Sequence, residues 1–127
     1  MPGFSKETAA NRVDHGPVLD SWEDHAGYTL EIVTFKEARD AAPMLKGLPG
    51  DSCQCPHWGY VIRGKITYRF DDHEEVHEAG DIFYLPPGHV PSFEAGTEFV
   101  QISPAEELKA VSEAITKNRE AMEAAGG

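Results

Sequence analysis

Apolar and polar residues alternate with a period of two through much of this chain, the signature of half-buried strands. Tyr28 to Phe35 is rich in β-branched and aromatic residues and reads as the first clear strand. Pro43, Gly47, Pro49 and Gly50 break any long element over residues 36–50. His57 to Ile62 is a second strand, closed by a turn at Arg63-Gly64. Lys65 to Phe70 alternates cleanly, with Ile66, Tyr68 and Phe70 on one face and Lys65, Thr67 and Arg69 on the other. The charged face suits solvent, the alternative being a cavity wall that binds an anion. Asp71-Asp72-His73 turns into a strand over Glu74 to His77, and Glu78-Ala79-Gly80-Asp81 turns into Ile82 to Leu85. That last run is apolar throughout, a pattern that fits burial on both faces. Pro86-Pro87-Gly88 stops it, and two further strands follow at Ser92-Phe93-Glu94 and Glu98 to Ile102. Short strands about ten residues apart, separated by turn residues, predict a sandwich or small barrel.

The period changes near the end of the chain. Ser103-Pro104-Ala105-Glu106 has the form of a capping box with proline at the first helical position. Leu108, Val111, Ile115 and Met122 then follow helical spacing through polar surroundings. Residues 1–20 show no clear period and suit an arm or an edge segment, so the predicted organisation is an N-terminal arm over residues 1–27, a barrel over 28–103, and a helix over 104–123 that packs on the barrel or on a dimer partner.

Composition narrows the function classes. At 127 residues and 40% apolar content the chain suffices for a single hydrophobic core. Its 22 acidic and 11 basic residues give a net charge of −11, which argues against nucleic acid or an anionic membrane as partner. No apolar run approaches the ~20 residues of a membrane span. The segment Met1 to Glu7 lacks the regions of a signal peptide, so a cytoplasmic location is expected.

The candidate chemistry lies in Cys53-Gln54-Cys55-Pro56-His57 and in Pro86-Pro87-Gly88-His89. Cys53, Cys55 and His57 share parity, so an extended backbone would point all three to one face. With His89 opposite, they would form a set of two thiolates and two imidazoles suited to zinc and other transition metals. A disulfide across one intervening residue would be strained. The bland readings are two buried small thiols, a hydrogen-bonded core histidine at 57 and an exposed turn histidine at 89. His73 and His77 flank an acidic turn and read as surface. Trp58 and Tyr60 have the opposite parity to His57 and suit core packing or a subunit contact.

The segment Gly80-Asp81-Ile82-Phe83-Tyr84-Leu85-Pro86-Pro87-Gly88 resembles the second motif of the cupins, and His57-Trp58-Gly59-Tyr60-Val61-Ile62-Arg63-Gly64 resembles the end of the first. The chain is thus similar to small single-domain cupins, particularly those bacterial ones with Cys-x-Cys-Pro-His-Trp-Gly-Tyr and Pro-Pro-Gly-His segments. The resemblance implies an all-β fold, a double-stranded β-helix (jelly-roll) barrel with a C-terminal α-helix, and a homodimer. Cupins hold a metal through His-x-His, a glutamate and a later histidine. Counting back from Gly64, the glutamate position falls on His57, with Cys53 and Asp51 in the histidine positions. A second register sets Cys53-x-Cys55 in place of His-x-His. The later histidine position falls on Pro91, with His89 two residues earlier. The implied metal ligands are Cys53, Cys55, His57 and His89, with Asp51 in reserve. Zinc is the leading metal, and iron, nickel, manganese and copper are the alternatives. Three functions follow as expectations: a metal-binding cupin acting on a small organic molecule, a non-catalytic ligand-binding or sensing cupin, and a thiol-redox protein using the Cys53/Cys55 pair.

Overall fold

The computed structural model describes residues 3–126. Ten strands and one helix follow in order: β1 (Asn11–Asp14), β2 (Val18–His25), β3 (Tyr28–Phe35), β4 (Arg39–Asp40), β5 (His57–Arg63), β6 (Lys65–Arg69), β7 (Glu74–Glu78), β8 (Ile82–Leu85), β9 (Val90–Phe93), β10 (Glu98–Pro104) and α1 (Ala105–Gly126). Two short 3-10 turns, Ala42–Leu45 and Pro49–Asp51, lie between β4 and β5. The strands form two antiparallel sheets, one ordered β1-β2-β3-β10-β5-β8 and the other β4-β9-β6-β7. Sequence neighbours are repeatedly placed in opposite sheets, as in a jelly roll. No described helix is long and apolar enough to cross a membrane.

Alternation builds the core. Val33 and Phe35 from β3, Val61 from β5, Ile66 and Tyr68 from β6, Phe83 and Leu85 from β8, Phe93 and Phe99 all point between the sheets. Phe35 and Phe93 stack across the two sheets with ring centroids 3.8 Å apart. Gly64 turns β5 into β6 with φ of 86°, and a side chain there would collide with Thr97, so glycine is required twice over. A second cluster of Leu45, Cys53, Cys55 and Val111 fixes α1 against the loop between β4 and β5. Asn118 pins the same contact by donating to the carbonyls of Met44 and Lys46 at 2.7 and 2.9 Å.

Several sequence-based expectations change. Residues 11–25 follow the edge-segment alternative and not the arm; as β1 and β2 they extend the large sheet beside β3. Polar inward residues, Asp20 above all, hide that strand's period. Residues 1 and 2 of the expected arm lie outside the described residues. The helix runs to Gly126 and starts at Ala105, after β10 has carried Ser103 and Pro104. Ser103 therefore does not cap it. Ile82 to Leu85 is not buried on both faces, since Ile82 is 83% exposed and Tyr84 is 52% exposed. Trp58 and Tyr60 share that outer face and are exposed, not in the core. The charged face of β6 is as expected, with Lys65 and Arg69 facing outward and paired with Glu94 and Asp40.

Candidate metal centre and barrel cavity

His57 opens β5, where it is paired with Leu85 of β8 and flanked on the other side by β10. That register sets Ser103 beside it, and Ser103 Oγ lies 2.7 Å from His57 Nδ1. The other ring nitrogen, Nε2, is 3.6 Å from the Cys53 sulfur. Cys53 is held by the backbone, since its N–H donates to the His89 carbonyl at 2.9 Å and its carbonyl accepts from Gly88 N–H at 2.8 Å. Gly88 enters this bridge with φ of 98°, a conformation that favours glycine.

His89 is 1% exposed, walled by the rings of His57, Tyr68 and Phe70. Its Nδ1 lies 2.8 Å from the Pro86 carbonyl. A carbonyl only accepts, so Nδ1 carries the proton and Nε2 keeps its lone pair for a ligand. Donor atoms of Cys53, His57 and His89 all fall within 4.8 Å of one another. Burial drives the His57 pKa down to about 3 and lowers that of His89, so both imidazoles are neutral at ordinary pH. Burial pushes the Cys53 thiol up to about 11. A metal bound there must displace that proton, and its charge supplies the compensation for a buried thiolate. One soft sulfur and two oriented imidazole nitrogens fit a transition metal.

Cys55 stands apart from this group. The chain between Cys53 and His57 is bent rather than extended, so shared parity does not carry a shared face. The Cys55 thiol donates to the Pro56 carbonyl at 3.4 Å and packs in the cluster under α1. Asp51 is exposed and accepts a hydrogen bond from Gly47 N–H at 2.9 Å. His73 stacks on Phe70 and bonds to Asp72 and Glu75 at the surface, whereas His77 packs against Tyr68 and Phe83.

The triad lines one part of a cavity of about 640 Å³ whose rim includes the exposed His15, Arg39 and Met122. Its walls are largely apolar, with Val18, Val33, Phe35, Phe93 and Phe99 among them. Asp20, Glu31 and Gln101 interrupt that wall. The sequence carried a sign of them: Glu31 shares the parity of Val33 and Phe35 in β3, and so points inward. Ser103 had no comparable sign, because its sequence context suggests a helix cap.

The family model for AraC-like ligand-binding domains matches residues 56–102. No curated protein sequence matches the chain. Among solved structures it is similar to an RmlC-like cupin from Shewanella frigidimarina, with 18% identity, a TM-score of 0.57, and coverage of 82% of this chain and 91% of that one. It is also similar to a protein of unknown function from Rhizobium leguminosarum bv. viciae, at 16% identity, a TM-score of 0.58, and coverage of 81% and 95%. The polyketide cyclase RemF from Streptomyces resistomycificus shares 12% identity and a TM-score of 0.55, over 82% of this chain and 79% of its own. At such identities the likeness is one of fold. Together with the matched segment, it shows a jelly-roll fold of the small cupin type.

Proposed function

We propose that the protein is a metal-binding cupin in which Cys53, His57 and His89 hold a transition metal, zinc foremost and iron next, beside a cavity for a small organic molecule. The observation that carries this is the convergence of one sulfur and two imidazoles within 4.8 Å at the cavity wall. Cys55 lies outside the group, which favours three protein ligands over a closed four-ligand site. A metal bound by three such residues supplies a Lewis acid or an activated water at its remaining positions. The protein's own part is to fix the two imidazoles through Ser103 and Pro86 and to keep bulk water from the site. Elemental analysis of protein purified without chelator tests the reading, with loss of metal expected in C53A and H89A.

A second reading, a non-catalytic binding or sensing domain, draws support from the ligand-binding family model that matches residues 56–102. Turnover separates the two. Direct thiol-redox chemistry is disfavoured because both cysteines are buried, and burial lifts Cys53 and Cys55 to about 11 and about 12.

The chain pairs, on this account, with a second copy of itself. Trp58, Tyr60, Ile62, Ile82, Tyr84 and Ile102 form an exposed apolar face on the large sheet. A contiguous exposed apolar face on adjoining strands at one edge of the sheet suits an interface between two copies of the chain.

A further inference from the structure

We propose that the barrel cavity also contains a recognition site for the ammonium group of a small primary amine, formed by Asp20 and Glu31 with Gln101 behind them. The proposal rests on reading this cavity as a small-molecule site, and not on the triad holding a metal.

The site follows from strand register. Asp20 on β2 and Glu31 on β3 are diagonal neighbours, because Asp20 faces Val33 and Glu31 faces Trp22. Their side chains meet in the cavity wall. Gln101 lies opposite Glu31 on β10 and donates its amide N–H to Glu31 Oε1, which leaves the amide oxygen as a further acceptor. Ser103 follows Gln101 by two residues, so the carboxyl pair lies one inward row, roughly 7 Å along the strands, from the serine that holds His57.

What the pair lacks is a cation. Neither carboxyl group forms an ion pair among the described residues. Glu31 is only 6% exposed. Asp20 Oδ1 is shut off from solvent and has no hydrogen-bond donor among the described residues apart from a proton that Glu31 can hold. His15 also lines the cavity near Asp20, where burial lowers its pKa, and it forms no ion pair with either carboxyl group. Arg39 and Arg119 also line the cavity, yet neither pairs with Asp20 or Glu31. Buried charge is costly unless paired, and two adjoining carboxyl groups without a cation relieve the cost by retaining a proton. An ammonium group does so more completely, because it brings a full counter-charge and three donors to an acceptor cluster. The surrounding Val18, Val33, Phe35 and Phe99 dictate the rest of the ligand, an apolar body carrying one charged head. A carboxylate head seated at the pair would place like charge against it.

Calorimetric titration of the full chain, with whatever metal it carries on purification, tests this using benzylamine, benzyl alcohol and benzoate. Benzylamine is expected to bind at least tenfold more tightly than benzyl alcohol, and benzoate not at all. D20N and E31Q are each expected to weaken benzylamine at least tenfold while metal content stays as in the parent. Equal binding of the three probes, no binding of benzylamine, or unchanged benzylamine affinity in both variants would overturn the site. Metal content is read separately, so a failure here is distinguishable from a failure of the metal assignment.

Discussion

Ser103 Oγ and His57 Nδ1 lie 2.7 Å apart across the β10–β5 pair, at the point where the large sheet meets the cavity. This contact fixes the plane of the imidazole and leaves Nε2 facing the Cys53 sulfur. Outer hydrogen bonds of this kind orient a ligand before the metal arrives. Ser103→Ala should therefore lower zinc affinity about 10- to 100-fold, measured by competition with a chromophoric chelator. Its effect on folding should be near 1 kcal/mol, the worth of one neutral hydrogen bond. Unchanged affinity in the alanine variant would show that the serine does not position His57.

Glu31 gives the fold a pH dependence of defined sign. Burial, and then the charge of Asp20, raise its pKa well above the usual carboxylate value, and burial raises Asp20 as well. The folded chain thus keeps a proton that the unfolded chain releases. The associated stability is complete below the unfolded carboxylate range and is lost as pH rises toward the folded value. For one proton the slope reaches about 1.4 kcal/mol per pH unit. Glu31→Gln removes this contribution, so its melting temperature should fall less than the parent's between about pH 5 and pH 8. A parallel decline in the two proteins would contradict the assignment.

Gly59 faces Phe83 across the β5–β8 pair, and a Cβ there would collide with the Phe83 ring and the Val100 carbonyl. The collision with backbone cannot be relieved by a rotamer change. Gly59→Ala should cost about 1–3 kcal/mol, the usual penalty of overpacking, and should lower the melting temperature. A neutral result would mean that β10 shifts at Val100 to admit the methyl group.

The exposed apolar face predicts a dimer by light scattering, at micromolar concentration and independent of metal. Ile82 is on an edge strand and exposes most of its side chain, which makes Ile82→Asp a mild change for the isolated fold. Combined with Tyr60→Asp it should give a folded monomer with an unchanged far-ultraviolet spectrum. A monomeric parent protein would remove the pairing from the account.

Legibility in the sequence tracked how regular the backbone is. Ile66, Tyr68, Val33 and Phe35 lie in uninterrupted strands, where alternation translates directly into an inner face. Parity failed at Cys55 because it holds only for extended chain, and residues 53–56 bend around Pro56. Cys53, His57 and His89 were visible as ligand types, but their meeting depends on the Cys53–His89 bridge between two loops, a contact across 36 residues with no local signal. Asp20 concealed β2 because a polar residue at an inward position erases the apolar period. Ile82 and Tyr84 misled in the opposite sense, since an apolar outer position looks the same whether protein core or a second subunit covers it.

The central claim is the three-residue metal centre, and mass-spectrometric elemental analysis of untagged protein, purified without chelator, tests it most directly. Close to one transition-metal ion per chain is expected, retained in Cys55→Ala and lost in Cys53→Ala and in His89→Ala. Absence of metal after reconstitution under reducing conditions would contradict it, as would full retention of metal in either the Cys53 or the His89 variant.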